Sequence, residues 1–349
     1  MMRAVNDQPA MLVVLVTFIT SALLVPIVRR IAMHINAVDM PGERKVHLNP
    51  MPRLGGLAIF LSYILGYMLY GRSSILMLSI LIAGFLIVMI GMIDDINPVK
   101  ARYKLIVQIL AASTVVFYGG IILNNLSMFG FNLVFPSPLN YIVTIIFIVA
   151  ITNAINLIDG LDGLAAGVSS IYFLTIVVIA FILNKVSGLD LVLSLIMLGG
   201  TLGFLLHNFN PASIFMGDTG SLFLGFMISI IALLGFKTTT LTSLVIPIVI
   251  LAIPIFDTVL AIFRRLLKGE NIGKPDKEHL HHQLLKMKFS TKKTVLIIYA
   301  INILFAAVSI LYVMGHNEQA ITIYSVLMIA LIFLVMKTDI LFNHRNKNR

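Results

Sequence analysis

Long stretches free of Asp, Glu, Lys and Arg constrain this chain more than any other feature. They cover residues 8–28, 54–71, 73–93, 105–158, 163–184, 191–217, 219–236, 238–256, 294–317 and 319–336. A helix crosses the hydrocarbon core with about 20 apolar residues, and it satisfies its backbone hydrogen bonds internally, as lipid requires. Stretch 105–158 is too long for one crossing, and Gly119, Gly120, Asn124, Asn125, Pro136 and Pro138 divide it in two. The sequence thus predicts an all-α integral membrane protein, a single polytopic domain of about eleven transmembrane helices. They fall near 8–28, 54–71, 73–93, 104–118, 139–158, 163–184, 190–208, 219–236, 240–263, 294–314 and 319–336. The first reads as a retained span rather than a cleaved leader, being long, containing Pro26 and running directly into Arg29 and Arg30.

Composition agrees with lipid as the surrounding solvent. Of 349 residues, 59% are hydrophobic and 11% charged, where a soluble domain carries about 25% charge. With no cysteine, disulfides and thiolate metal sites are excluded. The net charge of +10 does not read as a nucleic-acid surface, because in a membrane protein Lys and Arg hold loops on the cytoplasmic side. Eleven alternating spans place 21 of the 25 basic residues on one side and leave Arg3, Arg72, Lys185 and Lys237 on the other. The N-terminus is then outside and the C-terminus cytoplasmic. Twelve of the 15 acids fall on the basic side as well, the outer side keeping Asp7, Asp190 and Glu318. Topology does not require that. Acids gathered opposite bases at membrane level point to a metal and phosphate site in cytoplasmic loops.

Five segments on that side carry candidate chemistry. The first loop, 39–56, holds Arg44, Lys45, His47 and Arg53, suited to phosphate, and Gly55-Gly56, which permits close backbone approach; a loop that only sets topology is the alternative. The third span ends in Asp94-Asp95, followed by Lys100, Arg102 and Lys104. Adjacent carboxylates lose water cheaply only beside a cation, and Mg²⁺ uses one or two carboxylates with substrate phosphate oxygens. The turn after the fifth span contains Asn156, Asp159, Asp162 and Gly163 with no basic residue, and the spacing of the two acids puts them on one helical face. Asp218 stands in an otherwise uncharged run from Leu191 to Phe236, a functional candidate by default, though Asp-Thr-Gly-Ser also suits a helix start. Asn208 and Phe215 precede it.

Pro247 and Pro254 predict a kinked or broken ninth span. Asp257 then faces the same site or pairs with Arg264 or Arg265. The last loop follows with Lys268, Lys274 and His279-Leu-His281-His282. Three close histidines suggest zinc, but the acids elsewhere form an oxygen set that suits Mg²⁺, so the histidines, among Arg and Lys, read as donors to a diphosphate.

Taken in order, these segments resemble the polyprenyl-phosphate N-acetylhexosamine-1-phosphate transferase family (WecA, TagO and MraY type). The resemblance runs from residue 39 to 282, and the eleven spans extend it over nearly the whole chain. It implies a bacterial cytoplasmic-membrane enzyme that binds a UDP-sugar, a polyprenyl phosphate and Mg²⁺, with Mn²⁺ as a substitute, in a cytoplasmic cleft. It implies Asp218 as main metal ligand, with Asp94 and Asp159 sharing that role. Asp94, Asp95 and Asp159 become the catalytic acids, Asp94 acting on the lipid phosphate. Lys104 would contact phosphate; Asn156, Asp159 and Asp162 would contact nucleotide or support the metal. Asn208 and Phe215 would lie near the nucleoside. Arg264, Arg265, His279, His281 and His282 would lie near the diphosphate. Arg53-Leu-Gly-Gly and His279-Leu-His-His look like the branch using UDP-GlcNAc and undecaprenyl phosphate, with a slight leaning to teichoic acid synthesis. The phospho-N-acetylmuramoyl-pentapeptide branch has a Thr-Met-Gly-Gly loop and three consecutive histidines. A homodimer is left open.

Rivals from other classes fit less well. Transporter ion sites lie near the bilayer midplane, and an intramembrane aspartyl protease has no use for basic and histidine loops. The charge bias gives a direct test of topology. A reporter fused after Arg349 is expected to read cytoplasmic and one near residue 130 external; an external C-terminus would move the acidic motifs off one face.

Overall fold

The computed structural model describes residues 4–5, 8–40, 50–128, 131–237, 249–267, 269 and 279–337. Within them the chain forms twelve helices and three short antiparallel hairpins. The helices are α1 (Ala10–His34), α2 (Gly55–Tyr70), α3 (Ile75–Ile96), α4 (Ala101–Phe117), α5 (Leu139–Ile158) and α6 (Leu164–Ile182), then α7 (Leu189–Asn208), α8 (Gly217–Lys237), α9 (Ala252–Leu267), α10 (Leu280–Lys286), α11 (Thr291–Val313) and α12 (Asn317–Lys337). Seven of them, α1, α3, α5, α6, α7, α8 and α11, are long and apolar enough to cross a membrane. Helix α10 falls in the last polar loop and is far too short to cross.

Local sequence explains the boundaries. Ser74 caps α3 by accepting from the Met77 N–H at 3.1 Å, and Asn97-Pro98 stops the helix. Ser290 caps α11. Pro254 stands in the first turn of α9, and Leu251 before that helix is a turn. The break expected from the prolines lies there; Pro247 is outside the described residues.

Helix α8 is the central element. It packs against α2, α3, α5, α6 and α7, and Leu222, Phe223, Phe226, Ile230 and Leu234 are buried along it. A helix apolar on every face belongs inside a bundle. Peripheral α1 presents Leu12, Leu15, Ile19 and Leu23 outward. In water such a face would be a liability; against acyl chains it needs no covering.

Glycines bring α8 against its neighbours. A Cβ on Gly56 would meet the Gly220 backbone at 2.0 Å, and one on Gly91 would meet Thr219 Cα and N at 2.6 Å. The segment before α2 is stitched to the one before α8. Phe215 N–H donates to Pro52 O at 2.8 Å, Gly55 N–H to Phe215 O at 3.0 Å and Gly56 N–H to Met216 O at 2.9 Å. Leu54 accommodates this turn in the left-handed region at φ 81°, a conformation unfavourable for a bulky side chain. Strand β3 (Val38–Asp39) pairs antiparallel with β4 (Met51–Pro52), which ties the chain after α1 to the chain before α2.

Because the atoms opposite Gly91 are backbone, α3 and α8 must separate if it gains a side chain. Gly91→Ala is expected to lower stability by about 1–3 kcal/mol. Gly84→Ala, whose Cβ would meet side-chain rings alone, Phe223 at 3.2 Å and Phe226 at 3.8 Å, should cost less. Thermal unfolding of the two variants in one detergent checks this; equal losses would refute the backbone contact.

Candidate active site

Two adjacent acids at the end of α3 point to different tasks. Asp95 turns inward. Its carboxylate accepts from the N–H of Asp218 at 2.9 Å, the N–H of Thr219 at 3.0 Å and the hydroxyl of Thr219 at 2.6 Å. These N–H groups belong to the first turn of α8, where no intrahelical acceptor exists. The cap of α8 therefore comes from another helix, and Asp218 lies inside the first turn rather than before it. Gly217 at φ 71° permits the approach, since a Cβ there would stand 2.2 Å from the Asp95 carboxylate. Arg53 Nε lies 3.7 Å from the same carboxylate and Arg53 Nη1 3.8 Å from Asp39.

Asp94 turns toward Asp218. Its Oδ1 accepts from the Val99 N–H at 2.8 Å and meets Lys104 Nζ at 3.1 Å. The same ammonium reaches Asp218 Oδ2 at 2.9 Å. Asn156 donates to Asp218 Oδ1 at 3.1 Å and to Ser221 Oγ at 2.8 Å. Asp94, Asp95 and Asp218 each bring a carboxylate oxygen within 4.8 Å of the others, and among the described residues this is the one such cluster of potential metal ligands. A set of hard carboxylate oxygens without nitrogen or sulfur donors suits Mg²⁺ better than zinc.

The cluster opens on a cleft of about 480 Å³ lined by Arg53, Asn156, Asp159, Asp162, Asn208, Phe215, Asp218 and His282, among others. Asp159 caps the C-terminus of α5, and residues 160–163 are a turn. Asp159 and Asp162 thus do not share a helical face: the glycines end the helix one residue too early. Asp159 stands outside the carboxylate cluster, whose third member is Asp95. Asp162 braces the cleft wall, its Oδ2 accepting from Asn210 Nδ2 at 2.9 Å and the Ala212 N–H at 3.1 Å. Asn208 does likewise. It accepts from the Gly163 N–H at 3.0 Å and donates to Ile214 O at 2.9 Å.

The histidines separate by position. Only His282 lines the cleft. His281 is 2% exposed and packs on Gly160, where a Cβ would stand 2.5 Å from Nε2. Its burial, and then the rings of His282 and His279, hold it well below the usual imidazole range, so it is neutral. His279 is buried against Asp257 at 2.9 Å, a partner of Asp257 that the sequence reading did not include. Those arginines are buried at the end of α9 and are not on the cleft wall. Arg44, Lys45 and His47 lie outside the described residues.

Comparison with known proteins gives the family. Residues 77–236 match the sequence model described as Glycosyl transferase family 4. A probable undecaprenyl-phosphate N-acetylglucosaminyl 1-phosphate transferase of Bacillus subtilis is 47% identical over 300 residues, covering 84% of this chain and 82% of that one. The chain belongs to this transferase family. A decaprenyl-phosphate N-acetylglucosaminephosphotransferase of Mycobacterium tuberculosis is 36% identical over 302 residues, 78% of this chain and 74% of its own. The undecaprenyl-phosphate alpha-N-acetylglucosaminyl 1-phosphate transferase of Escherichia coli K12 is 29% identical over 315 residues, 86% and 83% of the two chains. In this transferase the matched segment runs from α3 to α8 and holds the whole carboxylate cluster; Arg53 and the histidines come from outside it.

Asp159 gives the site a pH signature. Burial, then the charges of Asp218 and Asp95, raise its carboxyl to about 7 against the pull of Arg53. In the unfolded chain the group titrates near 4, so folding favours its protonated form. Its contribution to stability is complete below about pH 4 and lost as pH rises through about 7. Without divalent metal, Asp159→Asn is therefore expected to raise the unfolding temperature at pH 8 and to raise it less at pH 5. A gain equal at both values would contradict the raised ionisation.

Proposed function

We propose that this transferase moves N-acetylglucosamine-1-phosphate from UDP-GlcNAc to undecaprenyl phosphate and releases UMP, at the cytoplasmic face of a bacterial membrane. It would be the first membrane step of a cell-envelope glycan, teichoic acid or a related polymer. The observation that carries the reading is the convergence of Asp94, Asp95 and Asp218, the first and last joined through the Lys104 ammonium, beside a cleft walled by Arg53 and His282. Eleven crossings, with the N-terminus outside, set α3, α5 and α8 so that this cleft faces the cytoplasm, where nucleotide sugars are made.

An oxygen of the lipid phosphate attacks the sugar-bearing phosphorus. That P–O bond forms as the bond to the bridging oxygen breaks, and UMP leaves with the electron pair. Two anions must be held in contact, so positioning and charge neutralisation carry most of the catalysis. Arg53 and Lys104 supply fixed positive charge and His282 a hydrogen bond to the diphosphate. Asp94 has Oδ1 engaged by Val99 and Lys104 while Oδ2 accepts no hydrogen bond among the described residues. It is the acid placed to take a proton from the acceptor phosphate or to orient it. Asp159, titrating near neutrality, is placed to hold a proton against a phosphate oxygen. Asp94 and Asp218 would hold Mg²⁺ or Mn²⁺, which supplies Lewis-acid neutralisation of phosphate charge. Phe215 and the braced Asn208 loop form the wall for the nucleoside. The acceptor is already an anion, which favours direct attack over a covalent aspartyl intermediate.

The test is UMP release by purified protein from UDP-GlcNAc and undecaprenyl phosphate. Activity is expected to vanish with a chelator and return with Mg²⁺ or Mn²⁺. Asp218→Asn should nearly abolish turnover, and Asp94→Asn should lower kcat about 100-fold or more with little change in the UDP-GlcNAc KM. Turnover of the UDP-muramoyl-pentapeptide and none of UDP-GlcNAc would refute the assignment.

A further inference from the structure

Asp257 is buried in α9 and does not line the cleft. Both its oxygens are nevertheless committed to one short element. Oδ2 lies 2.9 Å from His279 Nδ1, and Oδ1 accepts from the Leu280 N–H at 3.0 Å. With the carboxylate ionised, Nδ1 carries the proton and donates. His279 is the cap residue of α10 and makes no capping bond with its own side chain; the acceptor comes from α9 instead.

Helix α10 has seven residues, far below the length at which a helix persists in water by itself. It must be docked to exist, and it carries the two remaining histidines of the motif. His281 seats on Gly160 in the turn that follows Asp159. His282, whose ring centroid is 4.2 Å from that of His281, reaches the cleft. A continuous set of contacts therefore runs from Asp257 through His279 and α10 to the one histidine on the cleft wall. Leu280 and Leu284 add a buried apolar underside.

We propose that Asp257 is a positioning residue: it latches α10 onto the membrane bundle through His279, and so presents His282 to the diphosphate of the nucleotide-sugar donor. His279 then acts inside the protein as the other half of the latch and does not touch substrate. The inference deepens the transfer reaction proposed above and rests on it. The Asp94–Asp218 cluster, assigned above to the lipid phosphate, is carried by α3, α4 and α8, so the latch should govern the donor and leave the acceptor alone.

The test compares Asp257→Ala, His279→Ala and the double variant with wild type in one detergent. Two readouts are taken, steady-state KM for each substrate and hydrogen exchange over residues 280–286. Asp257→Ala is expected to raise the UDP-GlcNAc KM about tenfold, the usual weight of a lost charge-assisted hydrogen bond. The undecaprenyl phosphate KM should stay within about twofold, exchange over 280–286 should quicken, and exchange in α3 and α8 should not. His279→Ala should show the same pattern at smaller size, because the Leu280 N–H bond to Asp257 survives, and the double variant should be no worse than Asp257→Ala, which already removes both bonds. Additive effects, unchanged exchange over 280–286, or a parallel rise in both KM values would overturn the proposal. Were wild type itself to release no UMP, the transfer reaction would fail, while the exchange comparison would still decide whether Asp257 latches α10.

Discussion

The architecture of the site depends on one carboxylate serving as the cap of a helix that is not its own. Asp95, on α3, closes the open N–H groups of the first turn of α8. A buried carboxylate is costly unless its lone pairs are filled, and a buried helix start is costly unless its donors are. Each meets the other's requirement. The contact also fixes the backbone of Asp218, the next acid in the site, relative to Asp94, which is joined covalently to Asp95. Register between α3 and α8 and geometry of the cluster are thus set together. Gly91 and Gly217 are the positions where a side chain would push the two apart.

The same economy recurs around the cleft. Residues that read as ligands in a linear motif act as braces between loops: Asp162 holds the segment 210–212, and Asn208 ties the start of α6 to Ile214. Tyr299 from α11 adds a hydrogen bond to Gly163 O. A rigid wall of this kind keeps reacting groups within the small tolerances that phosphoryl transfer demands. Between α4 and α5, Gln108 and Asn153 exchange amide hydrogen bonds at 2.6 and 3.4 Å, so polar groups at membrane depth there answer one another.

Much of this was legible in the sequence. Charge-free stretches located the helices because lipid leaves few alternatives for an apolar run. Asp94 and Asp218 stood out because ionisable groups at membrane depth require a reason, while Lys104 and Asn156 took their roles from the family resemblance. What linear order could not convey is direction. Asp94 and Asp95 are neighbours, yet about 100° apart around a helix, and only the path of α8 shows which one faces the cleft. Asp159 and Asp162 looked like helical neighbours because their spacing is helical, but Gly160 and Gly163 turn the chain between them. Asp257 offered several basic partners within reach along the sequence. The break before α9 and the docking of α10 select His279, and the one available signal was an unpaired acid preceding a histidine cluster.

Lys104 carries a consequence for assembly. Its ammonium touches Asp94 and Asp218 at once, so part of the opposed negative charge is offset by a group that belongs to the chain. A site of bare carboxylates would repel itself until an ion arrived, and its folding would follow the supply of that ion. Here Lys104 takes up part of that repulsion as the helices meet in the bilayer, so the closure of α3 on α8 leans less on the supply of an ion.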